Sequence, residues 1–310
     1  MRRLAGASGV PAWIAGALLL SGCGGAERPQ AFASPPVLAP APAPASAPVA
    51  PACASEKGRS ADFILTGAPE QGGMMRGIAP RCTRRLALDG ATVPLAPDGR
   101  FLIAFDRDAA PAALLRAEVE GGAPVDHRLV VQPGNWRIER VDASPTAGVP
   151  TAEFLARRAP ELERIKAARA LDVQSTGWLQ SFHWPVRGRI SGLFGAQRIY
   201  RGQPGSYHTG VDVAVPEGTP FVAPADGVVV LAAQTPFTLE GHLLLIAHGM
   251  GLSSAFLHCS SLAVKEGDVV KQGQMLGTVG ATGRASGPHM HWGMSWNGAR
   301  LDPGRIAEKL

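Results

Sequence analysis

The sequence has no apolar run long enough to cross a membrane and no dense run of lysine or arginine. The apolar stretch near the start of the chain, Ala12 to Leu20, holds about nine residues, whereas a transmembrane helix needs about 20. The net charge is only +5, and Arg2 and Arg3 contribute two of these charges. Because nucleic-acid-binding proteins carry strongly basic patches, this small excess disfavours nucleic acid as a partner.

The N-terminus has the order of features expected of a secretory signal. Residues 1–22 begin with two arginines, continue with the short apolar stretch and end in small residues. Leu20-Ser21-Gly22-Cys23 resembles a bacterial lipobox, which implies cleavage before Cys23 and a lipid anchor on its sulfur. Gly24 stands where an aspartate would favour the inner membrane, so the expected location is the outer membrane, facing the periplasm. The alternative is an ordinary signal peptide with an incidental cysteine.

Cysteine is rare, with four residues in 310. Export implies an oxidising compartment, so the cysteines other than Cys23 need a role. Cys53 and Cys82 lie in the same N-terminal half and could pair, which would tie the end of the linker to the first domain. Cys259 is then left over, and its apolar neighbour Leu257 favours a buried thiol over a nucleophile.

Composition divides the N-terminal half of the mature chain into three parts. Residues 23–59 are rich in proline and alanine and predict a semi-rigid tether. Residues 60–143 alternate short apolar runs with turn signals, which predicts a small β-sandwich. This part carries no cluster of metal-ligand residues, so a spacer, a binding module and a lid are all open for it. Residues 150–180 predict a helical connector, with a break or a second helix start at Pro160.

Side-chain types along the connector suggest which face it buries. An approximate helical stripe is predicted at Phe154, Leu155, Leu162 and Ile165. The basic residues are interpreted as a solvated face rather than a binding site: Arg157, Arg158, Arg164, Lys166 and Arg169.

Two short clusters in the C-terminal half carry the chemistry. Because side chains of a strand alternate between faces, residues an even number apart point the same way. His208 and Asp212 are four apart and His289 and His291 are two apart, so each pair can face one cavity. The opposite face of the second strand then holds an apolar row that predicts core: Met290, Trp292, Met294 and Trp296.

Two imidazoles and one carboxylate, from His208, Asp212 and His291, form the ligand set of a hydrolytic zinc site with one position left open. The sequence has no His-Glu-x-x-His motif to supply a glutamate base. His258 and His289 could instead accept a proton from water and stabilise a developing oxyanion. The remaining histidines stand alone and are interpreted as ordinary polar residues: His127, His183, His242 and His248.

Roughly residues 184–303 resemble the lysostaphin/LytM-type zinc endopeptidases. The motifs occur in the family's order: Phe194-Gly195-Ala-Gln-Arg198, His208 to Asp212, Gly218 to Gly227, Phe256-Leu-His258, Val264 to Gln274, and Gly283 to Gly287 leading into Pro288-His289-Met-His291. The resemblance implies a mostly β fold class. A LytM-like β-barrel or sandwich, a duplicated hybrid motif at 184–305, would follow the small β-sandwich and the helical connector.

The resemblance also implies roles for individual residues. The positions that match the family's Zn²⁺ ligands are His208, Asp212 and His291. His258 and His289 match its two catalytic histidines, and Tyr200 and Tyr207 are both candidates for a tyrosine that assists in some members. The implied reaction is hydrolysis of peptide cross-links in peptidoglycan, and for an outer-membrane lipoprotein the bond between D-alanine and meso-diaminopimelate.

Three other readings are open. Some relatives have lost ligands and only activate murein amidases; the complete ligand set here counts against this alternative without removing it. The hairpin Val264–Val279 is similar to biotinyl or lipoyl carrier domains, but the lysine that these modify is absent. Two histidines and a carboxylate also describe a non-haem iron site, although the extra histidines and the export signal favour zinc. The sequence identifies no protein partner.

Overall fold

Short apolar runs closed by glycine or aspartate turns form β-strands, which are the main regular secondary structure of the described residues. The computed structural model describes residues 58–144 and 150–309. Within these ranges, no helix combines the length and the hydropathy that a membrane span requires. The tether and the signal segment, including Cys23 and Cys53, lie outside the described residues.

The first part contains eight strands: β1 Ile64–Thr66, β2 Met74–Ile78, β3 Thr83–Leu88, β4 Ala91–Val93, β5 Arg100–Ala104, β6 Ala112–Val119, β7 Val125–Val130 and β8 Ile138–Val141. One sheet has the order β1-β2-β5 and a second has the order β4-β3-β6-β7. In β6 every second residue is buried, among them Leu115 and Ala117, as expected of a sheet with one face on a core. These two sheets fit the predicted small sandwich. Strand β8 leaves them and pairs in parallel with a strand of the C-terminal part.

Helix α1, Ala152–Arg169, is continuous, so the break predicted at Pro160 is wrong. Proline removes one backbone donor and normally kinks a helix. Here side chains on both sides of Pro160 are fixed to one loop of the C-terminal part. Arg158 makes a two-bond ion pair with Glu240, and Glu161 accepts hydrogen bonds from Thr238. These contacts offset the loss of one helical hydrogen bond.

The predicted faces of α1 also need correction. Leu155 and Leu162 are about half exposed, so the predicted apolar stripe does not pack as a unit. Arg158, predicted to be solvated, is buried, as is Ala168. An arginine with two carboxylate partners can be buried because its charge is compensated and its donors are satisfied.

The C-terminal part follows a short 3₁₀ helix at Gly177–Leu179 and contains thirteen strands: β9 Arg189–Gly192, β10 Gln197–Tyr200, β11 Gln203–Pro204, β12 Val211–Ala214, β13 Pro220–Val222, β14 Gly227–Ala232, β15 His242–Gly249, β16 Leu252–Cys259, β17 Ser261–Leu262, β18 Val269–Val270, β19 Met275–Thr278, β20 Met290–Trp296 and β21 Ala299–Leu301. A four-residue helix, α2 Pro303–Ile306, ends the fold.

Eight of these strands form the main sheet, with the order β18-β14-β15-β16-β20-β12-β9 and β21 paired to β20. Strands β13, β19 and β17 form a small sheet beside it. The mostly β fold class is therefore confirmed. The sheets of the described ranges do not close into a barrel, and the arrangement is that of a sandwich.

The central strands of the main sheet are buried on both faces. In β15, Leu244 and Ile246 belong to a large core shared with the N-terminal sheets, whereas Leu243 and Leu245 pack in a smaller cluster with Ala168 of α1. The helix thus covers the outer face of the sheet. The predicted apolar row of β20 lies fully in the large core: Met290, Trp292, Met294 and Trp296.

The cysteines follow the predicted division as far as the structure describes them. Cys82 is in a disulfide, while Cys53 lies outside the described residues, so their pairing stays a prediction. Cys259 is a free thiol with no exposed surface, and burial raises its pKa to about 12. A thiol in this environment stays protonated and is a poor nucleophile.

His248 predicts how stability depends on pH. The ring is fully buried; Nδ1 donates to the carbonyl of Asp226 at 2.8 Å and Nε2 lies 2.9 Å from Ser254 Oγ. Burial lowers the pKa of His248 to about 4. Since the unfolded chain binds this proton at about pH 6.5, the stabilisation is complete above that value and is lost as the pH falls through 4.

We expect His248 to account for about 3 kcal/mol of the free energy of unfolding lost between pH 7 and pH 4, from its lowered pKa. Urea unfolding of the wild type and of His248→Gln across this range measures the effect. The variant should show a flatter pH dependence, whereas His127→Gln, a change at an exposed histidine, should follow the wild type. An unchanged slope in His248→Gln would contradict the assignment.

Candidate metal centre

Two ligand-type side chains are brought together by the pairing of β12 with β20. Asp212 lies directly opposite His291 in this antiparallel register. Residues opposite one another in such a pair project to the same face of the sheet, with their Cβ atoms about 5 Å apart. His291 Nδ1 is consequently 2.9 Å from Asp212 Oδ1.

His208 reaches the same point from outside the strand. The prediction that His208 and Asp212 share one strand is wrong, because β12 begins at Val211. The backbone of His208 is held instead by the turn before β10: its N–H donates to Ala196 O at 2.9 Å, and Gly195 N–H donates to its carbonyl at 2.8 Å. This pairing aims the imidazole at β12.

The three side chains form a compact triangle. His208 Nε2 is 3.0 Å from Asp212 Oδ1 and 3.0 Å from His291 Nδ1. Ligand atoms of a tetrahedral zinc ion, each about 2.0–2.1 Å from the metal, lie about 3.3 Å apart, so the spacing fits one shared cation. Within the described ranges, these three residues are the group of histidine, cysteine, aspartate or glutamate side chains whose ligand atoms lie close enough together to hold one metal ion.

Hydrogen bonding supports the same interpretation. His208 Nδ1 lies 3.0 Å from Leu193 O, and a carbonyl can only accept, so Nδ1 carries the hydrogen. In the neutral ring, Nε2 then presents a lone pair towards the carboxylate of Asp212. Two acceptors facing each other at this distance are unfavourable alone and favourable around a cation. Backbone carbonyls commonly orient metal-binding histidines in this way.

The charges of the cluster are strongly coupled. Burial alone would lower the pKa of His208, but the hydrogen bond and charge of Asp212 outweigh burial and raise it. Burial acts to raise the pKa of Asp212, yet its hydrogen bonds with His208 and His291 hold that pKa well below the usual range. Burial lowers the pKa of His291. Asp212 is therefore ionised and His291 neutral at pH 7, the states that a metal ion requires.

The other two predicted histidines border this triangle. His289 Nε2 is 3.7 Å from Asp212 Oδ1, and the ring centroid of His258 is 5.0 Å from that of His289. Each ring turns Nδ1 to a backbone carbonyl at 2.8 Å, that of Thr282 for His258 and that of Gly287 for His289. In their neutral forms both rings keep a lone pair on Nε2.

His258 stands in an unusual backbone conformation, with φ of +65°. Such a value is strained for a residue with a side chain and persists only where the surroundings impose it. Here the N–H of His258 donates to Glu240 O at 2.8 Å, and the carboxylate of Glu240 is fixed by Arg158 of α1. Helix α1 of the connector thus fixes the loop at Glu240, and this loop fixes the backbone of His258.

These supporting groups were missed from the sequence. Leu193, Thr282 and Gly287 contribute only their carbonyl oxygens, which every residue type has. Arg158 and Glu240 are 82 positions apart, and no spacing rule connects them. The even spacing of His289 and His291 was informative because the two residues share one extended segment, with His289 bridged to Gly280 just before β20.

The two candidate tyrosines line the same groove of about 1000 Å³, which His208 also lines. Tyr207 packs edge-on against Phe194 at 6.0 Å between ring centroids, and the guanidinium of Arg107 lies 4.7 Å from its ring centroid. Burial raises the pKa of Tyr207. Tyr200 lies at the end of β10. Nothing in the geometry selects one of them as a participant.

The triangle predicts which residues retain a metal. We expect His208→Ala, Asp212→Ala and His291→Ala each to weaken binding of a divalent metal by more than the roughly 10- to 100-fold that loss of a supporting group costs. Elemental analysis after dialysis against a buffer with a weak chelator gives the measurement. His127→Ala should retain one ion per chain, as the wild type does. Full retention in any of the three ligand variants would remove that residue from the site.

Comparison with known proteins agrees with this geometry. Residues 206–303 match the sequence model of Peptidase family M23. Cell division protein DipM of Caulobacter vibrioides is 39% identical over 115 residues, which are 37% of this chain and 18% of DipM. Peptidoglycan DD-endopeptidase ShyA of Vibrio cholerae is 40% identical over 108 residues, which are 34% of this chain and 24% of ShyA. The matched part spans less than a third of these curated relatives.

A crystal structure from Pseudomonas aeruginosa, described as a candidate peptidase M23, is similar over a longer stretch. The TM-score is 0.59 at 29% identity, and the match covers 77% of this chain and 95% of that one. This coverage is more than twice the length of residues 206–303, so the likeness includes residues ahead of the matched domain. The predicted resemblance to the lysostaphin/LytM type is confirmed.

Proposed function

The C-terminal part of this chain is a peptidase family M23 domain, and on this premise we propose that the protein is a zinc-dependent endopeptidase of peptidoglycan. The proposed bond is the cross-link between D-alanine and meso-diaminopimelate. The observation that carries the proposal is the convergence of His208, Asp212 and His291 within about 3 Å of one another, with two further histidines beside them.

The donor set suits zinc. Neutral imidazole and carboxylate are ordinary zinc ligands, and three of them leave one position for substrate. A zinc ion held there would supply Lewis acidity, which polarises a peptide carbonyl and lowers the pKa of water to about 7. Since Asp212 is the only carboxylate among the three residues, the centre would keep a net positive charge.

We assign the proton transfers to His258 and His289. Each presents a lone pair at Nε2, because its Nδ1 is bound to a backbone carbonyl. Burial lowers the pKa of His258, so this ring is neutral at pH 7 and able to accept a proton. The imidazolium that results can stabilise negative charge on the oxygen of the reacting carbonyl group. It can then return the proton to the leaving amine.

The groove beside His208 supports a substrate that carries carboxylates. Arg137 and Arg284 line it. The charge of Arg137 interacts with that of Glu139, whereas within the described ranges the guanidinium of Arg284 takes part in no hydrogen bond or ion pair. Arg198, on the same wall, is paired with Glu139. A free guanidinium group such as that of Arg284 favours carboxylate ligands, which it can bind through two parallel hydrogen bonds. Stem peptides of peptidoglycan that contain diaminopimelate bear such carboxylates.

The names of relatives point the same way. ShyA is a peptidoglycan DD-endopeptidase by its name, and its matched region is about as long as the M23 domain here. We extend this activity to the present chain as part of the proposal. We also propose attachment to the outer membrane through lipid on Cys23, with the Pro/Ala-rich tether holding the enzyme at a distance from the membrane.

Digestion of purified, cross-linked peptidoglycan tests the proposal. The mature wild-type chain should release free amino groups of diaminopimelate, and a chelator should stop the release. His291→Ala should lose zinc and activity together. His289→Ala should keep zinc but lose about 10²- to 10⁴-fold in kcat, the usual contribution of a proton-transferring side chain. His127→Ala serves as the control with unchanged activity.

Loss of zinc in both variants would show that the roles of His289 and His291 are wrongly divided. A zinc-loaded wild type that cleaves no cross-link, yet stimulates a murein amidase added to the same assay, would replace the proposal with that of a non-catalytic activator.

Arg284 gives a test of the proposed substrate. Arg284→Gln should reduce kcat/KM on diaminopimelate-containing peptides about tenfold, because a hydrogen bond to a charged group contributes roughly 1.5–3 kcal/mol. The same peptides with amidated carboxylates should be cleaved equally by the variant and the wild type. Arg187→Gln, a change of an exposed arginine that does not line the groove, is the matched control. Equal losses on both kinds of peptide would rule out recognition of carboxylate by Arg284.

A further inference from the structure

A buried arginine of the N-terminal part reaches the loop that carries His208. Arg107 follows β5 and is only 5% exposed. Its Nε and Nη2 donate to Gly195 O at 3.2 and 3.0 Å, and Nη2 also donates to the side-chain oxygen of Gln197 at 2.9 Å. Nη1 pairs with the neighbouring Asp108. The buried charge is compensated, and its donors are aimed at the C-terminal part.

The residues that Arg107 contacts hold the backbone of His208. Gly195 donates its N–H to His208 O at 2.8 Å, and His208 donates its own N–H to Ala196 O at 2.9 Å. The amide of Gln197 donates to Gly205 O at 2.7 Å, which ties down the segment that leads to His208. The guanidinium of Arg107 therefore fixes the turn at Gly195, which holds the backbone of His208. Through Gln197 it also fixes Gly205, in the segment that leads to His208.

Arg107 also contacts the residue that precedes His208. Its guanidinium carbon lies 4.7 Å from the ring centroid of Tyr207, within the range of a cation–π interaction. The neighbouring Asp106 accepts a hydrogen bond at 2.7 Å from the backbone of Arg300 in β21. Because β21 pairs with β20, the loop at Asp106 and Arg107 is anchored to the strand next to the one that carries His291.

A second side chain from the N-terminal part packs under the same turn. Trp136 makes an edge contact with Phe194 at 5.4 Å between ring centroids. Gly195 has φ of +75°, and a Cβ there would lie 2.4 Å from the Trp136 ring. Trp136 and Arg107, whose guanidinium carbon lies 5.8 Å from the Trp136 ring centroid, therefore both pack against this turn.

We infer that Arg107 is a positioning residue for the metal centre, and that the N-terminal β-sandwich acts as a brace that preorganises His208. This inference rests on the zinc site of the proposed function and not on the cleavage of cross-links. A spacer would not need a buried charge against the loop that carries the metal ligand His208. A lid would have to break these contacts in order to open. Groups behind a ligand that fix its orientation typically contribute 10- to 100-fold to metal affinity.

The test measures zinc affinity directly, by competition with a chromophoric chelator, in the purified mature chain without substrate. Arg107→Met, which keeps length and removes all five donors, should weaken zinc binding at least about tenfold. Arg107→Lys, which keeps the charge but not the forked geometry, should lie between Arg107→Met and the wild type. Arg116→Met is the control: it breaks an exposed ion pair with Asp126 on the same sandwich and should leave zinc affinity unchanged.

Thermal unfolding of the zinc-free proteins separates positioning from stability. A role in stability alone would lower Tm while leaving the zinc affinity of the folded protein at the wild-type value, and that result would overturn the inference. An equal loss of affinity in Arg116→Met would overturn it as well. If Arg107→Met does not fold, Arg107→Lys and Gln197→Leu decide in its place, because each should still weaken zinc binding. A wild type that binds zinc but cleaves no cross-link refutes the proposed function and leaves this inference standing.

Discussion

The register of β12 against β20 is the constraint on which the rest of the site depends. It sets Asp212 opposite His291, and a slip of one residue would turn one of the two side chains to the opposite face. The slip is prevented by the core, because Met290, Trp292 and Met294 would then have to leave it. Hydrophobic burial on one face of β20 thus fixes the position of a polar group on the other.

The remaining groups are fixed from outside these two strands. His208 is supplied by a loop that the N-terminal part supports through Arg107 and Trp136, and His258 by a strand end that α1 supports through Arg158 and Glu240. Backbone carbonyls then select the ring nitrogen that each histidine presents. The parts ahead of residues 206–303 are structurally continuous with the site, which agrees with the long match to the Pseudomonas aeruginosa structure.

Alternation in the sequence predicted the buried row of β20 and which histidine and aspartate side chains share a face, because these depend on local order. The resemblance to a known family implied the mostly β fold and matched the same side chains. These sequence patterns failed for features that depend on contacts between residues far apart in the sequence. Pro160 does not end α1, and Arg158 is buried, because both face the loop at Glu240. His208 lies outside β12 because the turn at Gly195 holds it. Arg107 carried no signal, since a single arginine after a strand is ordinary. The roles of the five site residues stay predictions.

An anomalous difference map, from crystals of the zinc-loaded protein measured at the zinc absorption edge, tests the central claim most directly. The account predicts one strong peak within about 2.0–2.2 Å of His208 Nε2, a carboxylate oxygen of Asp212 and His291 Nδ1. A peak bound by other residues, or one that leaves any of these three atoms uncoordinated, would contradict it.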